Sequence, residues 1–295
     1  MPATLRWPIA ACLLLAGCAM HASPVDGAGA LGPCGFDLAT LKFAGDPLAQ
    51  ARCLLRPVAV GGSLQQSPAV LPDSLAALIG QPVGDLKTRL RRYLAVHHLG
   101  DAAIGGSLDA PLSHARDDDP AAPLARYFVL HDTSMPWLGD APSFPPDDAD
   151  ALNDLWPFAG PDAVAHMFVN RNGQTLLGHD YRLPWRATRF EMQAIGTAAR
   201  GLFLHTEFAQ PRRSDPSGAA HNDLVAPMSG FTDAQYAQMA LLYAAASARR
   251  GDWMIPAFHA AIDEGIAGAH DDPQHFEIDR FADALARLRE TLAQR

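Results

Sequence analysis

The sequence predicts an α/β fold, a central β-sheet flanked by helices, and three observations lead there. Tyr127 to Thr133, Tyr-Phe-Val-Leu-His-Asp-Thr, is an apolar, β-prone run that ends abruptly in a polar triplet. Such a run reads as a strand buried on both faces, as is common inside α/β sheets. Ala165 to Gly173 and Gly201 to Phe208 are two further strand-like runs. Amphipathic helical patterns precede and follow them, the strongest spanning Thr232 to Arg250. His131 therefore falls at the end of a buried strand, where an imidazole either faces a cleft or is satisfied by a backbone carbonyl.

The chain opens with a short basic start, Met1 to Arg6, runs apolar from Trp7 to Gly17 and then meets Cys18. This is the pattern of a secretory signal, too short to span a bilayer as a helix. Leu15-Ala16-Gly17-Cys18 resembles the bacterial lipobox. That resemblance implies a lipoprotein signal peptide over residues 1–17 and lipid attachment to Cys18; an ordinary signal peptide with a chance cysteine is the alternative. Ala19 and Met20, with no Asp after the lipid site, resemble lipoproteins sent to the outer membrane and facing the periplasm. The expected partners are thus a membrane, through the N-terminal lipid, and whatever substrate the folded part takes.

Residues 18–33, rich in Gly, Ala, Ser and Pro, read as a flexible tether. Gly27 to Gly32 spells a dinucleotide fingerprint, but no strand precedes it and Pro33 follows where a helix should continue, so it is discarded. Of the 4 cysteines, Cys12 is lost with the signal and Cys18 goes to lipid. Cys34 and Cys53 remain, an even pair in an oxidising compartment, which reads as a disulfide or as two buried thiols. The net charge of −9 argues against nucleic acid, which requires clustered Lys and Arg. It leaves a polymer such as peptidoglycan open.

Residues 34–120 read as a mainly helical N-terminal extension packed on a domain spanning 121–295. Asp46 and Pro47 open a short helix that Pro57 stops. A second is expected from Asp73 to Ile79, closed by Gly80. Asp85 caps a stronger one, with Leu86, Leu90, Tyr93 and Leu94 on one face and Gly100 past its end. After His131 a Pro-rich loop runs from Ser134 to Pro161, and its Trp137 and Trp156 suit either a substrate wall or a packed surface. Asn172-Gly173 marks a hairpin turn after the second strand. Glu207, near the end of the third, is a carboxylate in an apolar strand and needs a metal, a proton relay or an ion pair. Thr232 and Gln235 form a capping box at the start of the long helix, and Gly251 ends it. Trp253 to Pro256 reads as a short strand or loop that delivers His259. A closing helix from about Arg280 to Leu292 is expected to be capped by Asp279, with Phe281, Leu285, Leu288 and Leu292 inward.

A catalytic zinc takes three N or O ligands plus a water, and His131, His259 and Asp272 supply such a set. The order of segments resembles the zinc-dependent N-acetylmuramoyl-L-alanine amidases, whose fold is shared with peptidoglycan recognition proteins. Phe128 to Thr133 looks like that family's first-ligand strand and Ala165 to Gly173 like its Ala-His-Tyr hairpin. Leu204-His205-Thr206-Glu207 resembles the strand with its catalytic Glu, and Phe231 to Tyr236 the start of its long helix. His259 with Asp272-Pro273 resembles the closing ligand segment, with Asp271 a rival to Asp272.

The resemblance implies a mixed sheet, Zn²⁺ held by His131, His259 and Asp272, and Glu207 as the proton-transferring carboxylate. It implies cleavage of the amide between N-acetylmuramic acid and L-alanine in peptidoglycan or muropeptides; a non-catalytic peptidoglycan-binding lipoprotein is the alternative. Two departures stand out. His270 occupies the place of a family Lys, where it donates to an oxyanion only in a suitable tautomer or as a cation. Pro184-Trp185-Arg186-Ala187 has Arg in place of a His, so Trp185 and Arg186 line the substrate site, with Arg186 binding a stem-peptide carboxylate or forming a structural ion pair. His166, His179, His205, His221 and His275 receive no role.

Overall fold

A computed structural model describes residues 30–59, 63–116, 119–215, 217 and 224–294. The expected signal peptide, Cys18, His221 and all but the end of the 18–33 tether lie outside the described residues. The helices are α1 (Pro47–Leu54), α2 (Asp73–Ala76), α3 (Leu86–His97), α4 (Asp150–Asn153), α5 (Asp233–Arg250), α6 (His259–Ile262) and α7 (Ile278–Ala293). The strands are β1 (Tyr127–Asp132), β2 (Met167–Val169), β3 (Thr175–Leu177), β4 (Phe203–Phe208), β5 (Arg213–Ser214), β6 (Leu224–Val225) and β7 (Ile255–Phe258).

Five strands form a mixed sheet in the order β3-β2-β4-β1-β7, and β5 with β6 forms a small separate ribbon. β2, β4, β1 and β7 run parallel, and β3 returns antiparallel through the Asn172-Gly173 turn, where Gly173 has φ +79°. Every residue of β1 and β4 is buried, which is why the apolar run of β1 is unbroken up to His131 and why the polar residues of β4 need partners inside the protein.

Local chemistry sets the starts of α1 and α5. The Asp46 carboxylate accepts from Ala49 N at 2.8 Å, and Pro47 occupies the first turn of α1. Thr232 and Gln235 close the capping box of α5, and Gly251 ends it at φ +97°. Three helices differ from expectation, the first being α2, which stops at Ala76 short of Ile79. Asp85 holds the N-cap position of α3, but its carboxylate takes Arg89 Nε at 2.8 Å, and His98 rather than Gly100 turns left-handed to end the helix. α7 starts after Glu277, with Asp279 inside its first turn, and the Glu277 carboxylate accepts from Arg280 at 3.0 Å and caps no amide.

One face of the sheet packs on α5, where Phe128 meets Tyr243 edge to face at 5.5 Å, and α7 lies against α5. The opposite face is closed by the amino-terminal arm. Phe36 and Phe43 pack on each other, on Phe190 and on Phe203, and Phe43 meets Tyr127 at 5.1 Å. Tyr127 Oη donates to Gln50 in α1 and accepts from Phe43 N, both at 2.9 Å. Cys34 and Cys53 are joined in a disulfide that ties this arm to α1. Residues 34–120 thus share one hydrophobic core with the sheet. Replacing Phe43 with Ala is expected to cost about 3–5 kcal/mol, as deletion of a fully enclosed ring does, measured as a fall in the urea unfolding midpoint at unchanged slope.

The Ser134–Pro161 loop contains α4 and is pinned by buried Arg171, which donates to Asp147 and to Gly230 O. Its Trp137 and Trp156 are exposed. Among the described residues, no helix is long and apolar enough to cross a membrane.

Candidate metal centre

Strand register assembles the site. His131 and Glu207 are direct neighbours across β1 and β4, and Leu130 pairs with Phe258, so His259 follows as the first residue off the end of β7. All three sit at the carboxyl ends of parallel strands, where clefts form in open α/β sheets. The two-residue side-chain period puts Tyr127, Val129 and His131 on one face with Phe203, His205 and Glu207. That face grades from aromatic under the amino-terminal arm to ionisable at the strand ends.

His131 Nδ1 lies 2.9 Å from His259 Nδ1. Asp272 brings Oδ1 to 3.0 Å from His259 Nδ1 and Oδ2 to 3.8 Å from His131 Nδ1. One donor atom from each residue lies within 4.8 Å of the others, and all three side chains are buried. The backbone of β1 orients the carboxylate, since Asp132 N donates to Asp272 Oδ2 at 3.0 Å. Asp132 is itself held by Arg212 at 2.7 Å. Asp271 turns instead to Gln274 Nε2 at 2.8 Å, so Asp272 is the carboxylate that converges with the histidines.

The electrostatics suit a cation. Burial, and then the charge of His259, hold His131 well below the usual imidazole range, so it stays neutral with a free lone pair. Burial alone lowers His259 as well, but Asp272 and Asp263 override it and the net shift is upward. The cluster therefore retains positive charge between two Nδ1 atoms and a carboxylate, the position a divalent metal takes when it displaces a proton. Two imidazoles and one carboxylate fit a metal ion that keeps an open position.

Glu207 stands beside this cluster, with Oε1 at 3.8 Å from His131 Nδ1 and Oε2 buried without a hydrogen-bond partner. Burial first, then the charge of Asp272, raise its carboxyl well above the usual range. A cleft of about 420 Å³ opens onto it, lined in part by Trp185, Arg186, Arg189, His259 and His270. His270 stacks on His259 with ring centres 4.6 Å apart and remains half exposed. Trp185 stacks on His179 at 3.7 Å and donates to Val164 O, which fixes the wall. Among the described residues Arg186 has no hydrogen-bond or ion-pair partner, so it serves no internal ion pair there. Trp137 and Trp156 do not line this cleft; Asp162 and Val164 stand there instead.

Three polar side chains behind the ligands, His205, Glu191 and Asp263, escaped the sequence reading. His131 Nε2 meets His205 Nδ1 at 3.0 Å, and His205 Nε2 lies 3.1 Å from the fully buried carboxylate of Glu191. His259 Nε2 meets Asp263 at 3.0 Å. The spacing of His205 and Glu207 on one strand face was the available signal for the first. Glu191 sits in an irregular helical turn, Phe190–Ile195, with no sequence periodicity to mark it. His166 accepts from His205 N at 3.0 Å, and His179 contacts Ala163 O, so both are structural.

The chain matches no described protein family, no curated protein and no solved structure. The fold and the buried His-His-Asp cluster define it as a mixed α/β protein with a candidate metal centre, and its function is read from that centre.

Proposed function

We propose that this protein is a zinc-dependent amide hydrolase that cleaves the bond between N-acetylmuramic acid and L-alanine in peptidoglycan or muropeptides. The observation that carries the reading is a partnerless buried carboxylate oxygen on Glu207 beside the His131, His259 and Asp272 cluster, at the floor of an open cleft. The segment order supplies the substrate class through its resemblance to the amidases. The lipobox-like Cys18 supports a location on the outer membrane facing the periplasm, and the Cys34–Cys53 disulfide is consistent with such an oxidising compartment.

When bound, zinc supplies Lewis-acid polarisation of the amide carbonyl and acidification of the attacking water. Glu207 takes the proton of that water and passes it to the departing amine nitrogen. Its raised proton affinity makes the ionised form a stronger base, and a divalent cation held by the cluster would favour that form. His270, on the cleft rim, donates to the developing oxyanion, and Arg186 binds a substrate carboxylate through its free guanidinium.

Replacing Arg186 with Ala is expected to raise KM about 10- to 100-fold with little change in kcat, since a charge-assisted contact is worth about 1.5–3 kcal/mol. Steady-state kinetics on muropeptides with and without the stem carboxylate check it. The reading itself is tested by mass spectrometry of muropeptides after incubation with the purified protein. Peptides beginning with L-alanine beside peptide-free sugars, lost on chelation and restored by zinc, are the expected products. Unchanged muropeptides with zinc bound would make the protein a binder.

A further inference from the structure

Behind the ligand His131 stands a buried chain of polar groups that the proposed chemistry does not use. His131 presents Nδ1 to the cluster and Nε2 to His205 Nδ1 at 3.0 Å. A ligating Nδ1 must be unprotonated, so the His131 proton sits on Nε2 and is donated to His205. His205 Nδ1 then acts as acceptor, which places the His205 proton on Nε2. That atom faces Glu191 Oε2 at 3.1 Å, close but not aligned as a hydrogen bond. Both His205 and Glu191 are fully buried.

Glu191 is held as an acceptor by its own segment. Its Oε2 receives Ala187 N at 3.2 Å, Thr188 N at 3.1 Å and Thr188 Oγ1 at 2.9 Å. No Lys or Arg pairs with it among the described residues, and its one ionisable contact is His205. A buried carboxylate without a cation is costly, and the charge that balances it lies at the far end of this chain, in the metal cluster. The same segment steadies the second ligand, because Arg189 N and Phe190 N both donate to Asp263, the partner of His259.

We infer that His205 and Glu191 are positioning residues that fix the tautomer of His131 and set the affinity of the metal centre. Where many metal sites orient a histidine with one carboxylate, this chain interposes a second imidazole between them. The inference rests on the metal reading of the cluster and concerns residues to which the amidase resemblance gives no role.

The test is zinc affinity, by competition with a chromophoric chelator, in the full protein and in Glu191→Gln. The amide keeps an oxygen for the Ala187 and Thr188 donors while removing the charge. Zinc affinity is expected to fall about 10- to 100-fold with the circular dichroism spectrum of the metal-free protein unchanged. His205→Asn, which keeps an acceptor near the Nδ1 position but cannot reach Glu191, should weaken zinc by a similar factor. In the unmutated zinc-loaded protein, long-range ¹H–¹⁵N spectra should show both His131 and His205 as neutral Nε2–H tautomers. Unchanged affinity in a folded Glu191→Gln protein, or an Nδ1–H tautomer at His205, overturns the relay while leaving the metal centre intact. If the unmutated protein binds no divalent metal, the metal reading falls and the relay falls with it.

Discussion

A Glu207→Gln protein is expected to lose amide hydrolysis by about 100- to 10,000-fold, the range that a positioned proton-transfer group contributes, while holding as much zinc as the parent. The amide is nearly isosteric, so the cleft keeps its shape, and Glu207 is not one of the three convergent donors. Its loss removes an acceptor for the water proton and leaves the metal set complete. Muropeptide turnover and metal content measured on the same preparation separate the two effects. Turnover within a few fold of the parent would remove Glu207 from the mechanism and point to another base on the cleft wall.

His131→Ala is expected to behave in the opposite way and lose the metal first. His131 contributes one of three donors and also the contact to His205, so its removal takes away a ligand and strands the polar chain behind it. Loss of affinity should exceed the roughly 100-fold upper range seen for outer-shell changes. Zinc at about 100 times its dissociation constant stabilises a native protein by about 2.7 kcal/mol, which a melting curve registers as a shift of several degrees. The parent should show that shift and His131→Ala should not. An equal shift in both would place the metal elsewhere.

The parts of this molecule legible in its sequence are those fixed by local chemistry. β1 announces itself because both of its faces are buried, leaving no polar residue in the run until His131 at the strand end, and β4 does so through the apolar start at residues 201–204 that precedes its polar residues. α5 carries its start and stop in Thr232, Gln235 and Gly251. His131, His259 and Asp272 could be nominated by residue type and order, although they converge only through strand register and the Asp132 amide. What could not be read depends on distant partners. His205 looked like an ordinary strand residue because its neighbours, His131 and Glu191, are brought to it by the fold. Trp137 and Trp156 lie on a loop of the right length and composition for a substrate wall, yet the chain places them away from the cleft.

The amino-terminal arm has a practical consequence for anyone dividing this chain. A polypeptide beginning at residue 121 keeps every strand and every candidate ligand, and on paper it looks like a minimal enzyme. It would also present Tyr127, Phe190 and Phe203 to solvent, an aromatic surface that Phe36 and Phe43 otherwise cover. Exposed apolar surface of that kind drives self-association. Such a fragment is expected to collect in inclusion bodies, and an inactive preparation of it would report on solubility, with nothing learned about the chemistry of the cleft.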